Sequence, residues 1–129
     1  MTNQSALGSN KLMAFGATRD SESAKAFYRD TLGLRLISDD PFAVVFDSNG
    51  TTLRITKVQE FTPFNFTVLG WEVPDIEAAV RGLGEASVQF ERYGSFMKQD
   101  ELGIWDAPGG GRIAWFKDPD GNTLSLAQM

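Results

Sequence analysis

Arg112-Ile113-Ala114-Trp115-Phe116-Lys117-Asp118-Pro119-Asp120-Gly121-Asn122-Thr123-Leu124-Ser125-Leu126 is the stretch that decides the fold. Two alternating, β-rich runs flank Asp118 to Asn122. Proline presets φ near the value a turn needs, and glycine supplies the positive φ that other residues resist. The pattern predicts a hairpin. A similar construction occurs earlier, from Val44 through Asn49-Gly50 to Thr56. Gly50 falls on Gly121, Thr52 on Thr123, Leu53 on Leu124, Arg54 on Ser125 and Ile55 on Leu126. Phe46 matches Phe116 once the first turn is allowed one residue fewer. The chain closes each of its halves the same way, which marks an internal repeat.

Working outward, Lys11 to Thr18 reads as a strand. Asp20 precedes Ser21-Glu22-Ser23-Ala24, where a side-chain oxygen can cap the free amides of a helix and Glu22 suits the positive end of its dipole. Ala24, Phe27, Tyr28 and Leu32 recur at helical spacing, and Gly33 ends the helix. Leu34 to Ile37, Phe42 to Asp47 and Thr51 to Val58 are the next strands. Asp75 stands 55 residues after Asp20, with Glu77 and Ala79 repeating Glu22 and Ala24. Ile76, Ala79, Val80 and Leu83 form the apolar face of the second helix. Phe66 to Val73 and Ser87 to Glu91 read as strands, and Tyr93 to Gly111 as a long irregular insertion. The prediction is an α+β domain of two β-α-β-β-β modules, residues 11–58 and 66–129, with helices at 21–32 and 75–85. Residues 59–65 connect them, and residues 1–10 read as a loose tail.

Composition narrows the function classes. The 129 residues have a net charge of −5 and no Lys/Arg cluster, which argues against a nucleic-acid partner. There is no cysteine, so disulfides, thiolate ligands and cysteine nucleophiles are excluded. There is no histidine, which removes the commonest metal ligand and general base. No apolar run approaches the length of a membrane span, and the N-terminus lacks the pattern of a secretory signal. The expected location is cytoplasmic.

Two motifs resemble the vicinal oxygen chelate superfamily, which includes glyoxalase I, bleomycin-resistance proteins and extradiol dioxygenases. One is Asp20 followed by Phe27-Tyr28-Arg29-Asp30-Thr31-Leu32-Gly33-Leu34. The other is Asp118-Pro119-Asp120-Gly121-Asn122 with Leu124 and Leu126. The resemblance covers residues 11–129. It implies two modules whose mixed sheets curl around a cavity with helices outside, and it implies a homodimer.

The resemblance also implies where a divalent metal would be held, by one residue on the first strand and one on the last strand of each module. Here those positions carry Met13, Arg54, Val68 and Ser125. Divalent ions seek carboxylate oxygen or imidazole nitrogen, and a guanidinium has no lone pair to give. The expectation is no metal and no cofactor. Period-two alternation then puts Met13, Phe15 and Ala17 on the cavity face of the first strand, and Val68, Gly70 and Glu72 on that of the fifth. Thr52, Arg54 and Thr56 line the fourth strand; Thr123, Ser125 and Ala127 line the eighth.

Arg54 has two readings: it clamps an anionic ligand, or it pairs with Glu72. Glu72 as a general base is the weaker idea, because a carboxylate near an arginine stays ionised. The insertion carries Tyr93, Phe96, Met97 and Trp105, with Phe96 and Trp105 as candidate lid residues over a flat ligand; the other reading caps a sheet edge or a dimer seam. Trp71 and Trp115 read as core or helix-packing residues. Three functions follow. One is metal-independent binding of a small, partly aromatic molecule. Another is a glyoxalase-like lyase, isomerase or dioxygenase with a non-standard site. The last is an interaction module with a vestigial cavity.

Overall fold

The computed structural model describes residues 7–129. The chain divides into two compact units, one ending at Glu60 and one spanning Phe61–Met129. Of the expected N-terminal tail, residues 1–6 lie outside the described residues, and Leu7–Ser9 forms an exposed 3-10 turn.

The first unit builds one mixed four-stranded sheet. Strands β1 (Met13–Thr18), β2 (Arg35–Asp39), β3 (Ala43–Ser48) and β4 (Thr51–Lys57) lie in the order β1-β4-β3-β2. The β1–β4 pair is parallel and the others are antiparallel. Helix α1 (Ser21–Ala26) begins where the sequence requires, because the Asp20 carboxylate accepts from the Ser23 amide at 3.2 Å. The expected helix to residue 32 forms in two parts. After α1 the chain widens into a π-helical turn, Phe27–Thr31, in which the Leu32 amide reaches the Phe27 carbonyl five residues back. Gly33 then takes φ +80°, and the Leu34 amide closes onto the Tyr28 carbonyl at 2.9 Å.

Ala24 and Tyr28 are buried with Val44, Phe46, Leu53 and Ile55, and the Tyr28 and Phe46 rings lie 5.7 Å apart. The apolar face of the helical segment and the hairpin face that carries Val44, Phe46, Leu53 and Ile55 therefore share one core. Gly16 is needed there: a Cβ at that position would meet Ile55 Cδ1 at 2.9 Å.

The second unit repeats the plan. Strands β5 (Thr67–Glu72), β6 (Trp105–Asp106), β7 (Arg112–Lys117) and β8 (Thr123–Gln128) lie in the order β5-β8-β7-β6, with β5–β8 parallel. Helix α2 (Ile76–Glu85) is capped by Asp75, which accepts from the Ala78 amide at 3.2 Å. Ile76 and Val80 are buried, as are Ala114, Phe116, Leu124 and Leu126. The turn between β7 and β8 is locked by Asp118, whose Oδ1 accepts from the Asp120 and Asn122 amides, each at 2.9 Å. Its Oδ2 accepts from the Asn122 side-chain amide at 2.8 Å.

One expected strand is corrected. Ser87–Glu91 is not a strand; within it only Phe90 bridges to Phe116. Ser87 takes φ +73°, which breaks extended pairing as the chain leaves α2. The fourth strand comes instead from inside the supposed insertion, where Trp105 and Asp106 pair with Ile113 and Arg112. The segment before β6 is cross-linked by the Gln99 amide. It accepts from the Tyr93 amide at 2.8 Å and donates to the carbonyls of Glu91 and Gly103 at 2.9 and 2.8 Å. Two four-stranded mixed sheets with few helices result, and neither sheet is closed. Among the described residues no helix is long and apolar enough to cross a membrane.

Candidate functional site

Each sheet buries one face against its helix and leaves the other open. On the first sheet the ladder sets Met13 opposite Thr52, Phe15 opposite Arg54 and Ala17 opposite Thr56. Leu53 and Ile55, between them, point into the core. Met13, Phe15, Thr52 and Arg54 therefore share the open face, where Met13 is 47% and Phe15 59% exposed. Arg54 stands opposite Val45 on its other side.

The open face of the second sheet is organised in three rows. Lys117, Thr123 and Thr67 form one, Trp115, Ser125 and Gly70 the next, and Ile113, Ala127 and Glu72 the third. Ser125 and Thr123 sit in the middle strand and are only 9% and 2% exposed. Between Thr67 and Leu69 the register shifts, so the ladder steps over Val68 and sets Thr67 opposite Thr123. Glu72 lies exposed near the end of β5.

Trp115 is corrected from core to open face. It stands opposite Ser125, and its indole Nε1 donates to Thr67 Oγ1 at 3.1 Å. Thr67 is on β5, and β8 runs between β5 and β7, so the indole crosses the middle strand. Ala114 and Phe116, its neighbours in β7, take the core side instead. Trp105 packs on Trp115 with ring centroids 6.0 Å apart, and Tyr93 meets Trp115 edge-on at 5.5 Å. Burial pushes the Tyr93 phenol up, and the Glu91 carboxylate adds to the shift, so the phenol stays neutral at neutral pH. Phe96 stands apart on a 3-10 turn (Gly94–Phe96) with 93% of its surface exposed.

The sequence names Trp105, Ser125 and, within the insertion, Tyr93; Thr67 and Lys117 were overlooked as companions, and Trp115 was read as a core or helix-packing residue. A signal for two of them was present. A hairpin turning about Asp120 pairs residue 115 with 125 and 117 with 123, so Trp115 and Lys117 had to share the face assigned to Ser125 and Thr123.

Gly70 completes the middle row by having no side chain. A Cβ there would meet Ser125 Oγ at 2.7 Å, so glycine leaves room beside the hydroxyl. A divalent metal does not fit the donor set. Met13, Arg54, Val68 and Ser125 offer a thioether, a guanidinium, an alkyl group and a hydroxyl, and among the described residues no group of three or more Asp or Glu is gathered in metal-binding range.

The family model described as the Glyoxalase/Bleomycin resistance protein/Dioxygenase superfamily matches residues 14–126. Comparison with curated proteins returns no match. Among solved structures, a lactoylglutathione lyase from Agrobacterium tumefaciens superposes with a TM-score of 0.71 at 18% identity, covering 92% of this chain and 93% of its own. A bleomycin resistance determinant encoded on the transposon Tn5 gives a TM-score of 0.71 at 21% identity, covering 93% and 98%. A superfamily member from Sphaerobacter thermophilus gives 0.70 at 26% identity, covering 92% and 97%.

Proposed function

We propose that this chain, which belongs to the glyoxalase/bleomycin resistance protein/dioxygenase superfamily, binds a small, partly aromatic molecule without using a metal. The observation that carries the reading is the open face of the second sheet. There Tyr93, Trp105 and Trp115 pack beside the Ser125 and Thr123 hydroxyls, and Ser125 stands where the superfamily resemblance implies a metal ligand. An aromatic surface beside a few fixed polar groups is what a flat organic ligand needs. Ring stacking supplies the contact, and the Ser125 hydroxyl orients an acceptor or donor at the ring's edge.

Arg54, on the open face of the first sheet, is the second candidate contact. It occupies another of the implied metal-ligand positions and presents a fixed positive charge there. Replacing it by Met should weaken binding by about 1.5–3 kcal/mol, the value of a charge-assisted hydrogen bond. Calorimetric titration of Arg54→Met beside its melting curve tests this. Unchanged affinity with a lowered melting temperature would assign Arg54 to stability alone.

The same reading takes the chain to be a homodimer. Strands β1, β2, β5 and β6 are sheet edges, and a symmetric partner is the commonest way to cover edges. Light scattering should give twice the 14.2 kDa chain mass. A mass of one chain at micromolar concentration would contradict it.

A further inference from the structure

We propose that the ligand of the second sheet's open face carries an anion, carboxylate or sulfonate in class, and that Lys117 holds it. The inference rests on the binding reading above and assigns the charge of the molecule bound. Lys117 lies on β7 two residues beyond Trp115, and its ammonium donates to Thr123 Oγ1 at 2.7 Å. Thr123 is opposite it in the ladder, and the Thr123 hydroxyl in turn donates to the Phe64 carbonyl at 3.5 Å. The hydroxyl thus fixes the ammonium while using one of its three protons.

Several other basic side chains in the two units are paired with acids. Lys25 and Lys57 share Asp39, and Arg112 meets Glu77, Asp100 and Asp106. Among the described residues no carboxylate lies within ion-pair distance of Lys117. Glu72 is the acid among the residues of β5, β7 and β8 that share its face, and it belongs to the far row. Four residues along and two strands across separate the two backbones by about 16 Å. A half-buried ammonium, oriented by a buried hydroxyl and lacking an acid, is poised for an external one.

The spacing selects the ligand's shape. Two residues along a strand span about 7 Å. An anion at Lys117 therefore leaves an attached ring over Trp115, whose indole already lies across the middle strand. An aryl carboxylate or aryl sulfonate spans that distance. The chain's net charge of −5 repels anions at long range, so recognition must come from this local contact rather than from steering.

The test uses three probes with one ring system and different charges: 2-naphthoate, 2-naphthalenemethanol and 2-naphthylmethylammonium. Each is titrated calorimetrically into the full chain and into Lys117→Met and Lys117→Arg, with melting curves alongside. The expected result is that naphthoate binds the unaltered protein at least about tenfold more tightly than the alcohol. Lys117→Met should erase that preference while keeping the alcohol's affinity, and Lys117→Arg should retain it. Equal binding of all three probes, preference for the ammonium, or a naphthoate preference that survives Lys117→Met would overturn the proposal. Binding of none of the probes would instead overturn the binding reading on which it rests. Should Lys117→Met fail to fold, the charge series on the unaltered protein and on Lys117→Arg decides.

Discussion

The Trp115 indole, rooted on β7, donates to the Thr67 hydroxyl on β5 at 3.1 Å, spanning the strand that carries Ser125. A side chain anchored at both ends presents its ring in one orientation. Less rotamer freedom is then lost when a ligand stacks on it. Trp115→Phe removes the N–H and shortens the ring. The bond is exposed, so water can replace it, and the expected stability loss is about 0.5–1.5 kcal/mol. Ligand affinity should fall by about 0.5–1.5 kcal/mol through lost stacking. Melting curves and titration on one preparation measure both. Unchanged affinity would remove Trp115 from the site.

Gly70 is expected to matter for binding more than for folding. The Cβ of Gly70→Ala would meet the Ser125 Oγ, the mobile tip of a small side chain, which can rotate aside. The backbone entropy gained by alanine offsets part of that adjustment, so stability should change by no more than about 1 kcal/mol. Affinity should drop by about 0.5–1.5 kcal/mol as the hydroxyl leaves its position. A ligand-bound titration equal to that of the unaltered protein would show that Ser125 makes no contact.

Acid stability should depend on Asp39. Its carboxylate accepts from Lys25 at 2.8 Å and Lys57 at 2.6 Å, and these bonds hold its pKa down at about 2. Because the folded-state value lies below the ordinary one of 3.8, the contribution is present above that value and is lost as pH falls towards about 2. The stability gap between the unaltered protein and Asp39→Asn should therefore be full near neutrality and close between about pH 4 and pH 2. Denaturant melts across that range check it. A gap independent of pH would mean that the asparagine perturbs packing rather than charge.

How much was legible in the sequence depended on how local the cause was. The caps at Asp20 and Asp75 and the turn at Asp118 are set by side chains bonding amides two to four residues away, and all three form as read. The β3–β4 and β7–β8 hairpins were reached through the repeat, because the same turn and alternation recur in each half, whereas the parallel β1–β4 and β5–β8 pairings were not read from the sequence. The fourth strand of the second sheet was missed. Ser87–Glu91 has an alternating pattern, but Ser87 at positive φ and a lone bridge at Phe90 leave it without a ladder. Trp105–Asp106 is only two residues long, too short for any periodicity to reveal. Trp115 was misplaced because size and hydrophobicity suggest burial, whereas its face is dictated by Phe116, which fills the core beside Leu124. The bulge at Val68 depends on the pairing of β5 with β8 across more than fifty residues, and nothing local announces it.

The central claim is that this open face binds an aromatic ligand with no metal. The most direct measurement is calorimetric titration of 2-naphthoate into protein dialysed against a strong chelator, with elemental analysis of the same sample before and after dialysis. The account predicts no stoichiometric Zn, Ni, Fe or Mn and the same affinity before and after treatment, since Met13, Arg54, Val68 and Ser125 do not form a ligand set. About one equivalent of metal per chain that survives ordinary dialysis, together with affinity lost on chelation and restored by that metal, would contradict it.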